Sequence, residues 1–467
     1  MVYSSLIFLL FLFVCLLIQH FCPDTRSKNI VLLIFSLIFY LWGGIISLLL
    51  LLAVTVVDWY AALQIDAEPH RAKRKRWLTI AVAINVALFV LLRVWHLFPW
   101  ALDETVVTRY AIPMGFAFYT IQLISYLVDV YKKAIPAEKS FPTLLLYSSL
   151  FSQSAGGPVI RYADISEELQ YRRVKSSTMS KGIMRFSCGL AKKVLLADSC
   201  GVVVTTLIGE DAASVASAPV LSVWIAGIFF MLQIFLELSG FADMAIGLGL
   251  MCGFHFPENF DYPYMATSLK EFWSKWNITV VSFFRNYVYR PLGSRRYGTA
   301  VQILNLVITA LLFGLWCGGS ANFMIWALYC LVLILIESLF RDRMNDIVGH
   351  VWVLLTMFVG FLMFRSTDMA MLGATLKGLI GLNGSGFATV QTFAVLGRHI
   401  LLLILSIAAC TPITRLAGAY MKEKSTEDRR WMNASALINA ICPAVLLVLS
   451  IAGMVGNQVP GFLFFQL

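Results

Sequence analysis

Charge is scarce in this chain: of 467 residues 13% are charged while 59% are hydrophobic. That balance excludes a soluble globule and a disordered polymer, and it leaves a polytopic membrane protein. Metal-ligand patterns are lacking too. The six histidines, His20, His70, His96, His255, His350 and His399, form no i, i+4 pair, so neither a zinc-protease helix nor another metal cage is expected. The nine cysteines are scattered through apolar runs without a CxxC pair, which argues against a disulfide framework and a structural zinc site and for small core residues. The first apolar run, Ser5 to Gln19, has no basic segment before it and no small-residue cleavage site after it, so it reads as a retained helix rather than a signal peptide. Neither an internal repeat nor a low-complexity tail interrupts the chain.

What is present are apolar runs long enough to cross a bilayer, roughly 17 to 25 residues each and about ten to twelve in number, some broken or re-entrant. The expected fold class is therefore an all-α polytopic membrane protein forming a single membrane domain over residues 1–467. Scaffold helices are expected over 1–140, a central core over 141–340 and further helices over 341–467. The net charge of +10 is concentrated in short loops such as Arg71 to Arg76, Arg172 to Lys175 and Arg429-Arg430, as in the cytoplasmic loops of an inner-membrane protein. A nucleic-acid role is not expected. With Arg71 to Arg76 inside, and two spans between Asn29 and Ile65 turning at Gly43-Gly44, Arg26 and Lys28 also fall inside. Met1 and the Asp103-Glu104 pair then fall outside. Trp42, Trp59, Trp77, Trp95 and Trp100 stand where interfacial tryptophans are expected.

Two stretches rich in Pro, Gly, Arg and aromatics, Ser140 to Lys181 and Asp261 to Tyr297, are too polar to span. Irregular backbone of this kind survives at membrane depth only under protein or around a wet cavity, so Ser154 to Tyr162 and Trp273 to Arg296 are expected to share one cavity with Cys317. Carboxylates inside apolar runs, namely Asp58, Asp129, Asp198, Glu237, Asp243 and Glu337, each need a partner, because burying an unpaired charge costs several kcal/mol. For Asp243 a structural ion pair with an arginine of the second stretch is the expectation.

The densest signature runs from Leu238 to Arg296, and it is joined by Gly314-Leu315-Trp316-Cys317-Gly318. Elsewhere stand Pro113-Met114-Gly115-Phe116-Ala117-Phe118-Tyr119 with Ser125-Tyr126-Leu127-Val128-Asp129-Val130-Tyr131. Two further motifs are Gly189-Leu190-Ala191-Lys192-Lys193-Val194-Leu195-Leu196-Ala197-Asp198 and Phe364-Arg365-Ser366. In this order the motifs resemble those of the membrane-bound O-acyltransferases, in particular the bacterial branch that feeds acyl groups to exopolysaccharide. The resemblance implies a ring of helices around a central funnel and a multi-pass inner-membrane location with the N-terminus outside. It also implies transfer of an acyl group, chiefly acetyl, from a cytoplasmic acyl-CoA or other thioester to a polysaccharide, with no bound cofactor. The implied partners are membrane lipid, a polysaccharide acceptor and an extracytoplasmic transferase of SGNH or similar type.

The chain departs from the family pattern where the chemistry lies. Cys317 stands at the histidine of G-L-W-H-G, Cys330 at the second histidine thirteen residues on, Asn277 at the histidine of R-W-H-I-S, and Asn286 at the aspartate of F-R-D-Y. Acyl transfer to a hydroxyl needs a base, an oxyanion donor and a donor site, so three readings of Cys317 stand open. It is a silent buried thiol in a chain that no longer transfers; or another group, such as His255, supplies the base; or Cys317 is a thioester relay, although a free thiol of pKa about 8.5 is mostly protonated at neutrality. Asn277 fits any of them, since an amide can orient an acyl carbonyl. Donor or substrate contacts are expected from Arg161, Trp273, Trp276, Arg285, Asn286, Arg290, Trp316 and Asp243. The guanidinium groups would hold carrier phosphates or lipid head groups. The resemblance leaves two functions, a membrane acyltransferase with a rearranged site and an inactive relative serving as a scaffold or a lipid- or acyl-handling subunit.

Overall fold

The computed structural model describes residues 3–94, 115–154, 156–293, 298–318 and 320–456. Trp95, His96, Trp100, the Asp103-Glu104 pair, Pro113-Met114 and Arg295-Arg296 lie outside these. Among the described residues every regular element is a helix.

Eight helices are long and apolar enough to cross a membrane: Thr25–Trp42, Ile45–Ala67, Arg71–Arg93, Val220–Cys252, Thr299–Cys317, Ala321–Arg343, Asp346–Arg365 and Arg429–Val455. The pair Val390–Arg398 and Ile400–Cys410, bent by 58°, makes a ninth if it is one broken span. This is consistent with the expectation of about ten to twelve apolar runs, some broken or re-entrant: Leu6–Phe21, Phe116–Tyr131 and Met369–Leu379 are further apolar helices among the described residues, shorter than the others, and 1.5 Å per residue limits their reach. Apolar side chains such as Leu10, Phe13, Leu401 and Val448 stand exposed on these helices, as lipid-facing surfaces require.

Local chemistry sets the ends. Asp24 caps Thr25–Trp42 by accepting from the Ser27 N–H at 3.2 Å, and Asn345 caps Asp346–Arg365 by accepting from Val348 at 2.8 Å. The turn expected at Gly43-Gly44 is there, with Gly44 at φ 113°, a conformation only glycine adopts without strain. Neither polar stretch contains a spanning helix. The first is cut into Phe141–Ser149, Phe151–Ser154 and Tyr162–Gln170, and the second into Leu269–Lys275, Ile278–Phe283 and a π-helical turn over Phe284–Tyr289.

The chain forms two compact units interleaved along the sequence. The first draws on Met1–Phe186, Met244–Glu258 and Ser282–Ser294, and the second on Ser187–Asp243, Asn259–Val281 and Arg295–Leu467. In the first, Gly182 and Gly247 face each other's backbone: a Cβ on Gly247 would come within 2.7 Å of the Gly182 carbonyl oxygen, so small residues bring these helices together. In the second, Gly240 approaches the Gly189 carbonyl in the same way, at 2.8 Å. None of the nine cysteines is in a disulfide, and six of them are buried.

Each buried carboxylate has found a partner, as the cost of isolation demands. In the first unit the Asn85 amide donates to both oxygens of Asp58, at 2.8 and 3.0 Å. The Tyr287 hydroxyl likewise meets both oxygens of Asp129, at 3.0 and 2.9 Å. In the second, Lys193 bonds Asp198 and stands 3.4 Å from Glu237. Lys192 pairs with Asp243 at 2.7 Å, so a lysine of the Gly189–Asp198 motif takes part in the structural ion pair expected there. Glu337 accepts the Leu269 N–H on both oxygens, at 3.0 and 2.8 Å, and so places a negative charge at the N-terminus of Leu269–Lys275.

Candidate active site

In the second unit the signature residues are organised by the Leu269–Lys275 helix. Ser268 accepts from the Glu271 N–H at 3.1 Å, while Glu271 accepts from the Thr267 N–H at 2.9 Å and pairs with Lys275 at 2.8 Å. This S-x-x-E start fixes the entry of the helix. Burial alone would push the Glu271 carboxyl up, but the Lys275 and Thr267 hydrogen bonds prevail and hold it below the usual carboxylate range. The helix then presents Trp273 and Trp276. Trp276 is buried, stacking on Phe272 at 5.5 Å and lying 5.0 Å from Phe361 and 5.4 Å from Phe260. Pairs of this kind add about 0.5–1.5 kcal/mol each beyond area burial.

Asn277 follows at φ 44°, in the left-handed region that asparagine tolerates better than most residues. It therefore serves as the corner between two helices. Its carboxamide oxygen accepts from Asn259 Nδ2 at 3.0 Å, and Asn259 Oδ1 in turn accepts from the Thr279 N–H and hydroxyl at 3.1 and 2.8 Å. The oxygen of Asn277 is thus committed to structure and its Nδ2 is the half available to a ligand oxygen. Asn259 was missed in the sequence, where only its place in Pro257-Glu258-Asn259-Phe260 before a turn could have marked it.

Cys317 closes the Thr299–Cys317 helix and is buried, 3% exposed. A Cβ on Gly314 would meet the Phe323 carbonyl at 2.7 Å, and one on Gly318 would meet the Phe323 ring at 2.1 Å. Both glycines of the motif are therefore needed for the close return of the chain into Ala321–Phe340. Around this hairpin Phe313 stacks on Trp316 at 6.4 Å and stands 5.8 Å from Trp273 and 5.9 Å from Trp326. Trp326 packs on Phe364 at 4.9 Å. The Trp326 indole N–H is buried without an acceptor among the described residues. Trp273, Trp316 and Cys317 are so brought to one aromatic cluster, with Cys330 buried on the facing helix.

Of the remaining predicted residues Asp243 falls in the second unit, and Arg161, Arg285, Asn286, Arg290 and His255 fall in the first. Arg161 is gripped by Asp164 through Nε at 3.1 Å and Nη2 at 2.6 Å. That hydrogen bond holds its guanidinium above the ordinary value. Its charge is matched within the chain, which leaves less of it for a phosphate. Tyr287 is the residue the sequence reading overlooked, although it stands in Phe284-Arg285-Asn286-Tyr287. It ties the π-helical turn to Asp129, its ring lies under the Lys132 ammonium at 5.3 Å, and burial pushes its phenol well up. In the same turn Arg285 is exposed and Asn286 has a buried Oδ1 without a partner among the described residues, while Arg290 follows, exposed. His255 is exposed and forms an ion-pair contact with Glu168, Nδ1 to Oε1 at 2.6 Å. Arg172, by contrast, is buried, and burial pushes it down to about 10. It holds Asn29 and the Cys252 carbonyl together.

The membrane-bound O-acyltransferase family model matches residues 35–363 of the 467. The chain belongs to the membrane-bound O-acyltransferase family. Within that family it is similar to the probable alginate O-acetylase AlgI of Pseudomonas fluorescens, 30% identical over 413 residues covering 87% of this chain and 81% of the relative. It is similar to the protein of the same name from Azotobacter vinelandii, 28% identical over 504 residues covering 100% of both. It is also similar to the peptidoglycan O-acetyltransferase of Helicobacter pylori, 27% identical over 416 residues covering 79% and 76%. Both the hairpin at Cys317 and the corner at Asn277 lie within the matched range.

Proposed function

We propose that this chain is the membrane component that moves acyl groups, chiefly acetyl, from a cytoplasmic thioester such as acyl-CoA for O-acylation of a cell-surface polysaccharide. It works with a rearranged site and an extracytoplasmic SGNH-type or similar partner. The observation that carries this reading is the likeness, at 28% identity, to a probable alginate O-acetylase along 100% of both chains. The Nδ2 group of Asn277 supports it, because a fixed amide donor suits an acyl carbonyl. In this reading Arg161, Arg285 and Arg290 serve the carrier phosphates or lipid head groups, and Trp273, Trp276 and Trp316 shape the apolar wall. His255, held by Glu168, remains the candidate base outside the Cys317 hairpin.

A labelled-acyl transfer assay in membranes with and without the chain tests this. Transfer to polymer that depends on the chain is the expected result, and its absence with every partner would favour the second reading, an inactive relative serving as a scaffold. The aromatic, apolar setting of the Cys317 hairpin is the observation on that side.

The location proposed is the inner membrane with Arg71 to Arg76 cytoplasmic and Met1 outside, on the strength of loop charge. A cysteine introduced at Lys73, which is exposed, is expected to react with an impermeant thiol reagent only from the cytoplasmic face. Labelling only from the other face would overturn the orientation.

A further inference from the structure

The π-helical turn over Phe284–Tyr289 in the first unit decides where two arginines stand. The Arg290 N–H donates to the Arg285 carbonyl at 3.1 Å, an i→i+5 bond. In an α-helix, with 3.6 residues per turn, residues five apart stand about 140° from each other around the axis. The wider π turn closes over five residues instead, so Arg290 comes to lie over Arg285 on one face. Both side chains are exposed, and neither has a hydrogen-bond or ion-pair partner among the described residues. Arg161, by contrast, is bound by Asp164 through Nε and Nη2 and is no part of this pair.

Tyr287 stands two residues after Arg285, on the opposite face of the turn. Its hydroxyl meets both oxygens of Asp129 at 3.0 and 2.9 Å, and that carboxylate is 7% exposed. Its ring stacks on Phe283 at 5.3 Å and lies under the Lys132 ammonium, also at 5.3 Å. A hydrogen bond to a carboxylate is among the strong ones, so the turn is anchored on this side. Were it to relax to an α-helix with Tyr287 still on Asp129, Arg290 would swing to within about 60° of the Tyr287 face and away from Arg285. The pairing of the arginines therefore depends on the π register. A guanidinium fork matches phosphate oxygens, and two such forks one turn apart match the linked phosphates of a diphosphate. The location agrees, since the Arg74 guanidinium bonds the Tyr131 carbonyl, which puts this end of Phe116–Tyr131 with Arg71 to Arg76 on the face proposed as cytoplasmic. We propose that Tyr287, held by Asp129, is a positioning residue that keeps the turn π-helical and so joins Arg285 and Arg290 into one site for a diphosphate. The inference rests on the acyl-transfer reading only for naming a CoA-like carrier as the source of that diphosphate.

The test uses the full-length chain in phosphatidylcholine nanodiscs, with inorganic pyrophosphate and CoA as probes and with retention of added phosphatidylglycerol as a separate arm. Arg285→Gln and Arg290→Gln are each expected to weaken pyrophosphate and CoA binding about tenfold, as loss of a charge-assisted hydrogen bond does. Arg173→Gln, at an exposed arginine of the same unit, should change it little. Tyr287→Phe should weaken binding as much as Arg290→Gln and add nothing further in the Arg290→Gln background, because the tyrosine acts through that arginine. Asp129→Asn, which keeps an acceptor for the hydroxyl, should retain most of the binding that Asp129→Leu loses. If Tyr287→Phe and Arg290→Gln add independently, or if binding in Tyr287→Phe falls only as the unfolding midpoint falls, the tyrosine is merely structural and the proposal is wrong. Pyrophosphate binding that ignores either arginine also overturns it, and so does a loss confined to phosphatidylglycerol, which would assign the arginines to a single head-group phosphate. Losses for pyrophosphate but not CoA keep the diphosphate site and remove the carrier as its source. The expected losses in a chain that transfers no acyl group keep the site and remove the acyl-transfer reading, whereas transfer with binding independent of the arginines does the reverse.

Discussion

Cys317→His is expected to raise acyl transfer about 10²- to 10⁴-fold, the usual contribution of a general base, while Cys317→Ala changes it little. The resemblance of Gly314–Gly318 to the pattern G-L-W-H-G implies a histidine at this position, in a hairpin that Gly314 and Gly318 hold closed and that Trp316, Phe313 and Trp326 wall. A nucleophilic thiol needs an electropositive, partly exposed environment. This helix end is buried and aromatic, so the relay reading is the one the geometry disfavours. Imidazole is larger than a thiol, and overpacking a filled interior costs about 1–3 kcal/mol, so the unfolding midpoint is measured beside activity to separate a damaged fold from a failed base. The opposite outcome is distinctive: if alanine abolishes transfer and an acyl group released by hydroxylamine is found on the wild-type chain, Cys317 is a relay after all.

Lys193→Met is expected to destabilise the fold by about 3–5 kcal/mol, the cost of breaking a buried ion pair from one side. Lys193 is 2% exposed and lies between Asp198 and Glu237, so methionine would leave two carboxylates facing each other without a cation. The triple variant Lys193→Met/Asp198→Leu/Glu237→Leu should regain most of the loss, because replacing a whole buried cluster by apolar groups is often neutral. Thermal unfolding in detergent reads both. A single variant as stable as wild type would show that the cluster contributes nothing net, and a triple variant worse than the single would show that the packing, rather than the charges, is what Lys193 maintains.

Much of this was legible in one dimension. Hydropathy and the polar interruptions located the helices, because a backbone in lipid must satisfy its own hydrogen bonds and an α-helix does so locally. Which apolar runs are long spans and which are shorter helices, as at Phe116–Tyr131, was not legible, since hydropathy marks burial whether lipid or protein provides it. The motif at Gly314–Gly318 and the junction at Asn277 were visible as patterns. That Asn277 is a left-handed corner bonded to Asn259 was not, since the partner lies eighteen residues away and no local periodicity reports it.

The sequence by itself determined the class of fold, the family and the requirement that six carboxylates be neutralised, because composition, order of motifs and the cost of a lone buried charge do not depend on how helices are arranged. Only the tertiary structure decided who meets whom: Asp243 with Lys192, Asp129 with Tyr287, Arg161 with Asp164, and Gln153 Oε1 with Gln122, its Nε2 left without a partner among the described residues. Most of these contacts join segments far apart in the chain, where helix packing sets the distances, so the same residue types in the same order could have been paired otherwise until the helices were packed.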